Sequence, residues 1–301
     1  MARDQTRVGT HRTHCVRLCA GSHRGGRIRR PQQHGRCPDH GGRVHAEHQP
    51  KDGKIFVLIL GSDARSGNPT NSRADAVHLA GINTKTMRGG ILNFPRDSYV
   101  NIPGSGTARI NESLYRGGPE LAVRTVESIT GIQIDYWLLT AFEGFQFAVK
   151  DLGNDVPLVV KRGMHDPGGS GADIEPNTKS LNGADSLAFA RTRKSLPGGD
   201  VTRTSNQARF LIALLRKLRT DIEGSPGKMF DWMAATRKWT RLDIPPHELF
   251  QLAVLTSQVK TQDVGSVTVP VSIGSAGAAS VVFIQPGAQS IYNRFKKNAS
   301  L

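Results

Sequence analysis

The sequence predicts an α/β fold, with a sheet covered by helices on both faces. Two observations carry this. From residue 54 onward, apolar runs of strand length alternate with segments whose apolar residues recur at helical spacing. Gly, Pro and Asn stand at the joints between them. No internal repeat and no linker interrupts this part, so its roughly 250 residues are expected to form one domain.

In chain order, Ile55–Leu60 is six apolar residues followed by a Gly61-Ser62 turn, which predicts a buried strand. Residues 75–83 and 89–95 predict a second and a third strand. Pro119 to Thr130 predicts a helix, with Pro119 at its first position and Gly131 as its stop. Residues 134–140 read as a strand, 142–153 as a helix closed by Gly153, and 156–160 as a strand. The Gly/Pro/Asp-rich residues 163–179 read as a loop. A short helix over 182–193 has Asn182 as its N-cap. Helices are further expected from Gln207 to Leu218, from Pro246 to Val259 and from Pro286 onward. Residues 264–271 and 280–284 read as late strands.

Charge is distributed unevenly. The chain carries 40 Lys and Arg against 25 Asp and Glu, a net +15. Residues 1–50 hold 10 Arg, no Lys and three acids, Asp4, Asp39 and Glu47, a net +7. They also hold all three Cys and seven of the ten His, and no Phe, Tyr or Trp. Such a segment has too little apolar surface to offset its ordering entropy and is expected not to fold by itself. As a functional element it would be a basic arm for nucleic acid or an acidic membrane surface. Arg, His, Gly and Cys without Lys is also what GC-rich DNA read out of frame would encode. The chain has no apolar run near the length of a membrane span, no signal-peptide core and no zinc-like Cys spacing.

Three clusters could carry chemistry. Asp63 and Arg65, then Arg73 and Asp75, flank a Gly/Asn/Pro/Ser loop between the first two strands. Two hard carboxylates with open positions suit Mg2+, which takes its other ligands from water and substrate phosphates. Arg96 and Asp97 stand at the end of the third strand, where a guanidinium can fork onto phosphate oxygens. Arg191 and Arg193 precede a Gly198-Gly199 turn, Asp200, Arg203 and Gln207. Arg203 and Gln207 share one helix face if the helix begins before them. Planar guanidinium groups favour phosphate recognition. Each cluster read alone also fits surface ion pairs. His78, His165 and His247 are scattered. Phe142, Phe145, Phe147 and residues 210–215 suit either a core or a lipid groove.

Six stretches taken together resemble the LytR-CpsA-Psr (LCP) domain of bacterial cell-envelope enzymes. They are LGSDAR (60–65), SRADAVHLAGIN (72–83), NFPRDSYVNIPG (93–104), residues 109–145, LNGADSLAFARTR (181–193) and GGDVTRTSNQ (198–207). The resemblance covers residues 54–295. It implies a three-layer α/β/α sandwich with a mixed central sheet. It also implies a Mg2+-dependent phosphotransferase, with Mn2+ as the alternative ion, that moves a polyprenyl-pyrophosphate-linked glycopolymer onto peptidoglycan. Teichoic acid, arabinogalactan and capsule all remain open as the glycopolymer. By matching position, Asp63 and Asp75 look like metal carboxylates. Arg65, Arg73, Arg96, Arg191, Arg193 and Arg203 look like pyrophosphate-binding arginines, supported by Asp97, Asp200 and Gln207. Arg73, Arg96, Asp97, Arg193 and Arg203 are expected to serve catalysis itself. A carboxylate such as Asp75 at a loop edge is expected to matter little to packing. Members usually carry a cytoplasmic tail and one membrane helix before the domain, which implies a membrane-anchored, extracytoplasmic protein in contact with lipid. Residues 1–50 stand in that place here.

Two rivals stay open. A pyrophosphatase releasing lipid monophosphate to water would use the same residues. A nucleic-acid-binding regulator would use the basic arm, but no helix-turn-helix or RNP-like pattern accompanies it, and the arginines of the remainder cluster around acids. Because residues 1–50 lack the apolar content to pack, their deletion is expected to leave the melting temperature of the rest almost unchanged. A fall of more than about 5 °C by calorimetry would contradict this.

Overall fold

The structure is a computed structural model that describes residues 51–64 and 68–301. The expectations for residues 1–50 and for Arg65 lie outside the described residues.

Strand β1 (Lys54–Ser62) explains the layering. Alternate side chains leave a strand on opposite faces, and both faces of β1 are apolar. Phe56, Leu58 and Leu60 enter one core; Ile55, Val57 and Ile59 enter another. β2 (Ala74–Asn83) and β3 (Arg88–Asn93) follow as an antiparallel meander. β4 (Tyr99–Ile102) and β5 (Gly106–Arg109) form a hairpin beside it. Helix α1 (Glu112–Thr130) then crosses over, and β6 (Tyr136–Ala141) returns parallel to β1. After α2 (Phe142–Asp151) come β7 (Val156–Val160), the ribbon β8 (Met164–Asp166) and β9 (Ala172–Ile174), and β10 (Thr178–Leu181), which pairs with β7.

Helices α3 (Gly183–Arg191), α4 (Gly199–Gly224) and α5 (Lys228–Trp239) precede the short β11 (Arg241–Leu242) and α6 (Pro246–Gln258). The chain ends with β12 (Val264–Thr268), the hairpin of β13 (Val271–Ala276) and β14 (Ala279–Ile284), and α7 (Ala288–Asn298). The central sheet has the order β11-β6-β1-β2-β3-β12 and is mixed. Residues of α1 and α7 pack one face, through Leu121, Val126, Tyr292 and Phe295. Leu249 of α6 and Met233 of α5 pack the other. This is the three-layer sandwich with a mixed sheet that the resemblance implies.

Three differences have physical causes. α1 begins at Glu112, but Gly117 and Gly118 leave helical geometry, and the regular helix resumes at Pro119. Residues 163–179 are not a plain loop: Met164, Ala172 and Ile174 are buried and zip β8 to β9, a pattern hidden among glycines. α5 is absent from the sequence expectation because its apolar spacing is weak; among its residues only Met229 and Ala235 are buried. The Asn182 cap is as expected, its side chain accepting from Asp185 N at 2.9 Å.

Gly81 and Gly90 are register partners on β2 and β3, and their bare backbones form a slot for Phe295. Phe295 also meets Phe56 edge-on, with centroids 5.5 Å apart. A Cβ at Gly90 would stand 2.9 Å from Phe295 Cε2 and 3.1 Å from the backbone nitrogen of Leu301. Gly90→Ala is therefore expected to cost about 1–3 kcal/mol in chemical denaturation. Gly168→Ala, where nothing lies within 4 Å, is expected to stay within about 0.5 kcal/mol.

Candidate active site

The site is built on a defect in the sheet. β1 and β2 pair regularly to Gly61–Ala76, then skip a residue, so that Ser62 faces Ala74. Asp75 is the extra residue. Such a bulge re-aims a side chain and frees main-chain groups from the ladder. Its main-chain oxygen instead accepts from Arg203 Nη2 at 3.3 Å and Gln207 Nε2 at 3.4 Å. These two side chains lie one turn apart on α4, which starts at Gly199, early enough for both to face the sheet. The sequence spacing anticipated this shared face.

Charge is then balanced outward from Arg203, whose side chain is 5% exposed. Its guanidinium lies 2.8 Å from Asp200 Oδ1 and 3.9 Å from Asp75 Oδ2. Asp75 Oδ1 takes a hydrogen bond from Arg96 Nη1. Arg96 Nε in turn stands 3.7 Å from Asp97 and 3.8 Å from Asp200. Arg109 lies 3.8 Å from Asp97 and continues the chain of charges to Glu112 and Arg116. Burial pushes the Asp200 carboxyl up, against the pull of Arg203. Burial also draws the Arg203 guanidinium down, opposed by Asp200 and Asp75. Asp75 is therefore not a loop-edge carboxylate of little structural weight. It sits in a strand and is a counter-charge of a buried arginine.

A polar cleft opens over this network. It is lined by Asp75, Arg96, Asp166, Gly169, Ser170, Arg191, Arg193, Lys194 and Arg203. Five cations face two carboxylates there, leaving a net positive cleft suited to a polyanion. Arg193 is exposed and has no ion-pair partner among the described residues. Arg191 lies over the Phe142 ring, 4.4 Å from its centroid. Beside the cleft lies an apolar cavity of about 100 Å3, lined by residues including Ile59, Leu60, Phe142, Phe145, Leu187 and Phe210. Asp75 and Arg191 line both spaces. Phe142, Phe145 and Phe210 thus line the cavity, whereas Phe147 is exposed and stacks on Trp239.

The expected residues do not all converge. Arg96, Arg191, Arg193, Arg203 and Asp75 line the cleft, with Asp200, Asp97 and Gln207 supporting them. Asp63 and Arg73 do not line it. They face each other across the end of the loop, where Asp63 Oδ1 accepts from Arg73 N at 3.0 Å and Asp63 N donates to Arg73 O at 3.0 Å. His165 and His247 are exposed and lie beside Asp173 and Glu248. Sequence reasoning missed Asp166, Ser170, Lys194 and Arg109. Lys194 adjoins Arg193 and could have been included. Asp166 and Ser170 were hidden in a ribbon read as a loop.

The fit of a divalent ion can be judged from the donors. Among the described residues no three His, Cys, Asp or Glu side chains gather into a metal cluster. Asp63, just after β1, and Asp75, the bulged residue of β2, supply only hard oxygens. A Mg2+ site of one or two carboxylates completed by substrate phosphates fits that set; an all-protein cage does not.

Known proteins are similar to this chain in sequence and in fold. The family model described as the LytR_cpsA_psr family matches residues 30–299. Regulatory protein MsrR of Staphylococcus aureus (strain COL) is 29% identical over 235 residues, 76% of this chain and 69% of that protein. The polyisoprenyl-teichoic acid–peptidoglycan teichoic acid transferase TagT of Bacillus subtilis (strain 168) is 34% identical over 183 residues, 58% of this chain and 56% of TagT. A solved structure of TagT bound to LI-WTA superposes with a TM-score of 0.68 at 25% identity, covering 86% of this chain and 95% of that one. The crystal structure of B. subtilis TagV gives 0.69 at 20% identity, covering 83% and 98%.

Removing the Arg203 guanidinium leaves two partly buried carboxylates, Asp75 and Asp200, with Arg96 as their remaining counter-charge. Arg203→Ala is expected to cost about 3–5 kcal/mol in urea unfolding. Arg193→Ala is expected to leave the unfolding midpoint unchanged, because the side chain is exposed and unpaired.

Proposed function

The chain belongs to the LytR-CpsA-Psr family, and from that premise we propose that it transfers a polyprenyl-pyrophosphate-linked cell-wall glycopolymer to peptidoglycan. One observation carries this reading: the cationic cleft and the apolar cavity meet at Asp75 and Arg191. A lipid pyrophosphate has the same polarity, an apolar chain joined directly to a compact polyanion. Its head would lie against Arg96, Arg191 and Arg193, and the first part of its chain against Phe142, Phe145 and Phe210.

In the reaction, an acceptor hydroxyl of peptidoglycan attacks the phosphorus nearer the sugar. The new P–O bond forms as the bridging P–O bond breaks, the hydroxyl proton passes to solvent, and polyprenyl monophosphate leaves. The product is a phosphodiester. Negative charge grows on the bridging oxygen, and preorganised guanidinium groups stabilise it without reorganising. Arg96 is held for this by Asp75, Asp97 and Asp200. Arg191 is held by its stacking on Phe142. Asp63 and Asp75 are the residues that would hold Mg2+, or Mn2+ in its place, which when bound neutralises phosphate charge. The acceptor implies action outside the cytoplasm at the membrane surface. Among the described residues no helix is long and apolar enough to cross a membrane.

The test is incubation with a polyprenyl-pyrophosphate-linked glycan, with and without peptidoglycan oligomers. A glycan–phosphate–peptidoglycan product that requires the acceptor and Mg2+ is expected. Polyprenyl monophosphate released equally fast without acceptor would identify a pyrophosphatase instead. Arg193→Lys keeps the charge and removes the fork, so it is expected to lower kcat/KM by about tenfold or more at unchanged stability.

A further inference from the structure

We propose that His78 is a positioning residue: it orients Gln207 so that one amide group ties the bulged carbonyl of Asp75 to the end of α3, just before Arg191. This rests on the transferase reading for its consequence, though not for its geometry. His78 lies on β2, three residues beyond Asp75, and is 1% exposed. Neither the metal carboxylates nor the arginines touch its ring through a hydrogen bond. Its Nε2 is 3.2 Å from Gln207 Oε1 and its Nδ1 2.8 Å from Asn93 Oδ1.

The hydrogen-bond accounting fixes its protonation. Gln207 Nε2 donates to two main-chain carbonyls, Ala190 O at 3.0 Å and Asp75 O at 3.4 Å. Carbonyl oxygens only accept, so the Nε2 end of Gln207 is committed to them and its oxygen must face His78. The imidazole therefore donates from Nε2. Burial lowers the His78 pKa to about 4, and Arg203 pushes in the same direction, so the ring is neutral near pH 7. A neutral imidazole carries one N–H, so Nδ1 must accept. The Asn93 amide, placed with Oδ1 against Nδ1 and Nδ2 toward Ser266 Oγ, is therefore assigned end for end, its NH2 toward the ring and its oxygen accepting from the Ser266 hydroxyl. Ser266 Oγ, 2.9 Å from the Asn93 side-chain nitrogen position, anchors that amide in either orientation because a hydroxyl both donates and accepts.

A chain of side chains thus runs from β12 through β3 and β2 to α4. It stops Gln207 from turning over. If Gln207 turned, its oxygen would face the oxygens of Asp75 and Ala190, and the link between the bulge and Arg191 would break. A neutral ring suits this place because it adds no charge beside Arg203. Small errors in the placement of reacting groups cost large factors in rate.

Two substitutions separate positioning from packing. Gln reaches about as far as Nε2 and can still donate to Gln207; Asn reaches about as far as Nδ1 and cannot. Both are polar and smaller than His. His78 and Gln207 also line the apolar cavity, so the variants are compared by kcat: His78→Asn is expected to lower it about tenfold or more, whereas His78→Gln retains most of it. In 15N NMR of the full chain, His78 is expected as the Nε2–H tautomer at pH 7. The Gln207 side-chain amide protons should exchange slowly in wild type and His78→Gln, and fast in His78→Asn. An Nδ1–H tautomer, or equal Gln207 exchange and equal kcat in the two variants at equal stability, would overturn the proposal. Should the wild type transfer no glycan while the tautomer and the exchange pattern hold, the clamp stands and the transferase reading fails.

Discussion

A buried guanidinium needs counter-charges within reach, and Arg203 sets the rest of the site by needing two. Asp200 comes from its own helix, one turn before it, and Asp75 from the sheet. The first turns of α4 must therefore lie over the end of β2, and α3 and the loop to α4 must lie alongside. That placement brings Arg191 and Arg193 to the same cleft as Arg96. Burying charge is costly, and the upward push on Asp200 and the downward push on Arg203 express that cost. What the arrangement provides is Arg96 and Arg203 fixed by carboxylates, and Arg191 by the Phe142 ring, before substrate arrives.

Much of the fold was legible because both faces of the sheet are buried. Ile55–Leu60 is a continuous apolar run for that reason, and helical spacing after Pro119 and Gln207 marks the covering layers. Elements whose stability comes from tertiary packing were harder to see. Helix α5 buries little of its own surface, and the β8–β9 ribbon is stabilised by a few residues spaced among glycines. The extension of α4 back to Gly199 was invisible to apolar periodicity. Its first turns face the site with Asp200, Arg203 and Gln207, polar residues that serve the cleft.

The candidate site was legible by residue type and only partly by geometry. Arginines near acids at strand ends pointed to phosphate chemistry. The β-bulge at Asp75 left no mark in the sequence, since it is a matter of register, yet it determines which way that carboxylate and its carbonyl point. The same holds for Asp63 and Arg73. They are near Asp75 in sequence, but Asp63 pairs with the main chain of Arg73 and neither residue lines the cleft. His78 looked like one of three scattered histidines, and only the amides packed around it distinguish it from the other two.

The central claim is that the cationic cleft and the apolar cavity form one binding site for a lipid pyrophosphate. Crystal structures of the chain with a polyprenyl pyrophosphate and Mg2+ test it most directly. The account predicts phosphate oxygens against Arg96, Arg191 and Arg193, and the chain of the lipid against Phe142, Phe145 and Phe210. A pyrophosphate bound elsewhere, or bound in the cleft with its lipid directed away from that cavity, would contradict it.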